Sequence, residues 1–67
     1  MSWHYQIRRC RSGDGWTYDI VEAYGKPFGY TELGVAPFGE SRKEVIKCLE
    51  NMLNDAKKYP TITEKQV

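Results

Sequence analysis

Most of the side chains able to do chemistry lie in one stretch, WHYQIRRCRSGDGWTYDI. It carries Trp3, Trp16, Tyr5, Tyr18, Arg8, Arg9, Arg11, Cys10 and the chain's one histidine, His4, around the turn sequence Gly13-Asp14-Gly15. Aromatic rings with neighbouring guanidinium groups stack on unpaired bases in single-stranded nucleic-acid binders. The same rings, alternating with polar residues, also make the buried face of a small sheet. Catalysis has less to work with. His4 has no serine or cysteine nucleophile motif to pair with, there is neither an H-E-x-x-H nor a P-loop pattern, and the carboxylates are scattered. The glycines of GDG and GKP precede no helix start, so they read as turns and not as phosphate cradles. Cys10 and Cys48 match no metal-ligand spacing and form no disulfide framework. We expect reduced structural thiols, no cofactor, no metal and no enzymatic activity.

The 67 residues make one domain, 40% hydrophobic and 28% charged, a composition that folds. Ten basic residues against nine acidic leave a net charge of +1, which sets up no strong field for nucleic acid. No apolar run is long enough to span a membrane, and the N-terminus lacks the apolar stretch of a signal peptide. The expectation is a cytoplasmic protein with no membrane partner. A chain this short supports a net stability of roughly 3–5 kcal/mol from its own core, so association with a second copy or another protein would help it.

The elements that must position these side chains follow from periodicity. Trp3, Tyr5 and Ile7 alternate with His4, Gln6 and Arg8, and Trp16, Tyr18 and Ile20 with Thr17, Asp19 and Val21, which predicts two strands. A two-residue turn on Gly13-Asp14 or Asp14-Gly15 joins them as a hairpin. Either register puts Trp3, Tyr5, Ile7, Tyr18 and Ile20 on one face. With the turn on Gly13-Asp14, Arg8 stands opposite Asp19 as a cross-strand charge pair. Arg9 falls on the apolar face, where its stem covers hydrophobic surface. A turn at Gly25-Lys26 leads to a third strand near Phe28 to Glu32, which Pro27 marks as an edge. A two-residue turn there sets Phe28 and Tyr30 on the face away from Ile7 and Ile20; a bulge reverses them.

SRKEVIKCLENMLNDAKKYP is a helix. Ser41 and Glu44 form a capping box, and Pro60 stops the chain from continuing. Val45, Ile46, Cys48, Leu49, Met52, Leu53, Ala56 and Tyr59 share one arc, with charged and amide residues opposite. The expected fold class is α+β: a three-stranded antiparallel sheet (β-β-β) packed on one C-terminal amphipathic helix. Residues 1–60 form the domain and residues 61–67 a frayed tail. Under this reading Trp3, Tyr5, Trp16 and Tyr18, with Ile7, Ile20, Leu49 and Leu53, are core beneath the helix. The uncovered face carries His4, Arg8, Phe28 and Tyr30, the candidate partner-binding residues.

Two resemblances accompany these patterns. WHYQIRR, GWTYDIVEAYGKPFGYTE and VAPFGESRKEVIKCLENMLNDAKKYP resemble a family of short uncharacterised bacterial proteins that carry W-x-Y, GKP, YTE and P-x-GES segments before a helix. That likeness reaches Pro60 and implies a fold but no activity. The order β-β-β-α, with the capped helix GESRKEVIKCLENML, is similar to HicB-type antitoxins, which implies binding of a small toxin; no C-terminal DNA-binding segment of that kind is expected. A phage-type inhibitor of host defence fits the size as well. The function expected is a protein-interaction domain acting through its edge strand and open sheet face, with a protein partner or a homodimer. The alternative is a single-stranded nucleic-acid-binding module built on the sheet aromatics and arginines.

Overall fold

The computed structural model describes residues 2–25 and 28–64. Strand β1 (Trp3–Ser12) and strand β2 (Gly15–Tyr24) form the antiparallel hairpin, with Arg8 opposite Asp19 and Ser12 opposite Gly15. The turn is therefore Gly13-Asp14. Gly13 sits at φ +60°, and no non-glycine described has positive φ, as a turn with glycine at its first central position requires. Strand β3 (Gly29–Tyr30) pairs with β2 through Ala23 and Tyr24. Tyr30 thus lies on the face away from Ile7 and Ile20. Lys26 and Pro27, on which the turn and edge readings rested, lie outside the described residues. Beyond β3 the chain stays beside β2, with Thr31 N–H donating to Glu22 O and Val35 N–H to Ile20 O at 2.8 Å.

Helix α1 (Arg42–Lys58) begins at Ser41, whose Oγ accepts from Glu44 N–H, while the Glu44 carboxylate reaches back to Glu40 N–H. It ends at Tyr59, ahead of Pro60. The tail then departs from expectation. Ile62–Glu64 forms strand β4, parallel to β1 and paired with Arg8 to Cys10. The sheet is four-stranded and mixed, in the order β3-β2-β1-β4, not three-stranded and antiparallel. Residues 62–64 belong to it and do not fray; residues 65–67 lie outside the described residues. A parallel partner requires a crossover, and the helix supplies it.

The interior also differs. The helix packs mainly on β1, and the buried side chains among the described residues are Val21, Ala23, Gln6, Arg8 and, from the helix, Met52. The first four lie on the face opposite Ile7 and Ile20. The sheet curls so strongly that Tyr30 on one edge strand reaches Glu64 on the other, Oη donating to Oε1 at 2.7 Å. That closes a concave face over Gln6, Arg8, Val21 and Ala23. Trp3, Trp16 and Tyr18, expected in the core, are exposed on the outer face. Leu49 and Leu53 are also about half exposed, at 48% and 55%. The reason is geometric. A helix that must hand the chain to β4 stands beside β1 and cannot extend over the Trp16–Tyr18 end of β2. No helix described is long and apolar enough to cross a membrane.

Candidate interaction surface

The four residues singled out from the sequence share the concave face, but they do different things there. Arg8 is 5% exposed. Its Nε and Nη2 fork onto the two Asp19 carboxylate oxygens, and Nη1 donates to the carbonyls of Thr31 at 3.2 Å and Glu32 at 2.8 Å. Glu64 stands 3.6 Å from Nη1, and the Tyr30 ring centroid 5.7 Å from the guanidinium carbon. One side chain thereby ties β1 to β2, to the segment after β3, and to β4. Its charge is satisfied internally and its pKa is raised further, first by the Asp19 hydrogen bond and in spite of burial, which lowers it. Asp19 is held close by its neighbour: a Cβ on Gly34 would lie 2.9 Å from Asp19 Oδ2.

Tyr30 is half-buried, and its hydroxyl pKa is raised, chiefly by the hydrogen bond to Glu64. His4 stacks on Tyr59 with centroids 3.5 Å apart and rings 12° from parallel, and its Nε2 lies 2.8 Å from Gln6 Oε1. Gln6 in turn donates to Pro60 O at 2.7 Å. These contacts lock the helix exit over the sheet. Only Phe28, 62% exposed with its ring 6.0 Å from Tyr30, is free to meet a partner. The concave face is therefore an interior closed by the chain's own residues, with Phe28 at its rim.

The outer face is the one left open. Trp3, Trp16 and Tyr18 are exposed on it, Tyr18 at 63%. The guanidinium of Arg9 lies 4.6 Å from the Trp16 ring centroid and that of Arg11 5.4 Å, within cation–π range. Arg9 also donates from Nε to Thr63 Oγ1 at 2.9 Å, so its stem spans from β4 toward Trp16. Tyr5 is the outer-face aromatic that the helix does meet. Its hydroxyl is 3.6 Å from Cys48 Sγ and its backbone N–H donates to Asp55 Oδ2 at 3.0 Å. Burial, then the Cys48 contact, pushes the Tyr5 hydroxyl up to about 12. Beside this face the helix presents a second exposed apolar line, Ile46, Leu49 and Leu53. The period-two pattern put Trp3, Tyr5 and Tyr18 together, but nothing in it showed that the face is uncovered.

Cys10 and Cys48 are free thiols on different elements. Among the described residues no three His, Cys, Asp or Glu side chains gather to hold a metal. A shallow groove lined by Lys43, Ile46, Lys47 and Glu50 runs along the first half of the helix. Set beside known proteins, the chain matches no family model, no curated protein and no solved structure.

Proposed function

We propose that this chain is a small non-enzymatic interaction domain that acts by binding protein: a second copy, a toxin-like protein, or a phage or host-defence target. The observation that carries this is the outer sheet face, where Trp3, Trp16 and Tyr18 stay exposed because α1 covers only the Tyr5 region. Trp16 and Tyr18, two residues apart on one face of β2 with Arg9 and Arg11 beside them, form the patch, and Trp3 lies at the other end of the hairpin. Exposed aromatics on a chain this small mark an interaction site, and Trp, Tyr and Arg are the residue types that anchor protein interfaces. A toxin-like partner is what the sequence resemblance of the capped helix to HicB-type antitoxins implies. In this reading Arg8, His4 and Tyr30 hold the fold, and Phe28 is a rim contact.

One observation favours a second reading, single-stranded nucleic acid. Arg9 and Arg11 lie over Trp16 beside Tyr18, an arrangement on which bases stack. The net charge of +1 weighs against it. The test is affinity capture from a lysate of the source cells, half of it treated with nuclease. The expected result is a stoichiometric protein, this chain itself included, that survives nuclease and is lost with the double change Trp16→Ser, Tyr18→Ser. Nucleic acid alone in the eluate, or partners that vanish with nuclease, would transfer the surface to the second reading.

A further inference from the structure

The outer edge of β2 next to the exposed aromatics is unpaired. Val35 N–H bonds Ile20 O, and Thr31 bonds both backbone groups of Glu22. Even-numbered residues of β2 therefore aim N–H and C=O away from β1, and by the alternation of an antiparallel pair Trp16 and Tyr18 do the same. Among the described residues no strand or loop backbone takes up those groups. Gly15 to Tyr18 are all exposed. A strand edge of this kind is a template for another strand.

We propose that the strand it accepts is the same edge of a second copy, paired antiparallel about a two-fold axis at Thr17. This rests on the reading of the outer face as protein-binding. In that register Trp16 stands opposite the second copy's Tyr18, and Tyr18 opposite its Trp16, each pair exchanging both of its hydrogen bonds. Cross-strand aromatic pairs are among the stabilising ones, and here they join on one face beside Arg9 and Arg11. The register is the one the edge allows. Sliding it toward Ile20 would require a carbonyl that Val35 already occupies. Sliding it the other way runs onto the turn residue Asp14. A single patch that is complementary to itself is what a two-fold dimer needs.

The test combines sedimentation velocity on the full chain over a concentration series, amide hydrogen exchange at Trp16 and Tyr18, and the variant Tyr18→Pro. Proline at that position removes an outward N–H and leaves the β1 ladder intact. The expected result is a mass twice the 7.8 kDa of one chain. Trp16 and Tyr18 amides should exchange slowly in the dimer and speed up on dilution, and Tyr18→Pro should halve the mass at unchanged helix content. If the variant does not fold, the exchange comparison on the wild-type chain decides. A dimer whose Trp16 and Tyr18 amides exchange at the dilute rate would overturn the β2 edge. A wild-type monomer whose tryptophan fluorescence ignores poly(U) would overturn the dimer alone and leave the protein-binding reading standing. A monomer quenched by poly(U) in a salt-dependent way would overturn both.

Discussion

Replacing Arg8 by alanine should remove most of this protein's stability, although the residue reads from the sequence as a surface contact. The magnitude follows from its partners. Hydrogen bonds to charged groups contribute about 1.5–3 kcal/mol each, and a buried acceptor left unpaired costs about 1–3 kcal/mol. Asp19 is partly exposed and regains water when its partner goes, so the fork returns part of its value. The half-buried Thr31 loses a donor to its carbonyl, as does the more exposed Glu32, and Tyr30 loses the cation beneath its ring. The total is about 3–5 kcal/mol, the range for breaking a buried ion pair by removing one partner. That equals the roughly 3–5 kcal/mol such a core supplies. Arg8→Ala should therefore be largely unfolded at 25 °C. Arg8→Lys keeps the charge but loses the planar fork, and should stay folded with a stability lower by about 1.5–3 kcal/mol, one charged hydrogen bond. Urea titrations followed by far-UV circular dichroism and tryptophan fluorescence give both values. Arg8→Ala within about 0.5 kcal/mol of wild type, the range of an inconsequential surface change, would refute the picture of Arg8 as the link between four parts of the sheet.

The remaining predictions concern the helix, the last strand and pH. Met52, 4% exposed, should cost about 2–5 kcal/mol as Met52→Ala, whereas Leu53→Ala, at 55% exposure, should cost far less; equal shifts in urea midpoint would contradict the packing of α1 on β1. Ending the chain after Pro60 removes β4 and with it Glu64, the partner of Tyr30 and Arg8. A marked fall in melting temperature is expected, and an unchanged one would return residues 62–64 to a dispensable tail. The Tyr5 hydroxyl is raised from 10.0 to about 12, so folding favours its protonated form. That contribution is whole below pH 10 and is lost as pH climbs through 12. Urea midpoints measured from pH 8 to 12 should fall in this window and fall less in Tyr5→Phe; identical profiles for the two would remove Tyr5 as the cause.

How far the sequence reached differs from element to element. Alternation across Trp3–Cys10 and Trp16–Tyr24, with glycines at the turn, determines the hairpin and the parity of its register, because a one-residue slip would move every side chain to the other face; between the two turns of equal parity the structure chose Gly13-Asp14. Ser41, Glu44 and Pro60 determine the helix and its ends. Ile62–Glu64 is too short for periodicity to register, and its one local sign is the β-branched run Thr61-Ile62-Thr63 after Pro60. Of the candidate site, the sequence placed His4 and Arg8 on a common face and left the side of Tyr30 open between a two-residue turn and a bulge, which the pairing of Tyr30 with Ala23 decided. It could not show that Arg8 is buried, since the carbonyls of Thr31 and Glu32 come from a connector with no pattern of its own.

What the sequence by itself determined is the set of local choices: two long strands, their turn, a capped amphipathic helix, and which side chains share a face. Tertiary structure alone decided which face is the interior. Alternation labels two sides of a sheet without saying which is covered. The cover came from the curl that joins Tyr30 to Glu64 across the sheet and from a crossover that holds the helix beside β1. Both are long-range contacts that no local pattern encodes. They put Arg8 inside and left Trp16 and Tyr18 outside, because one helix cannot cover two faces.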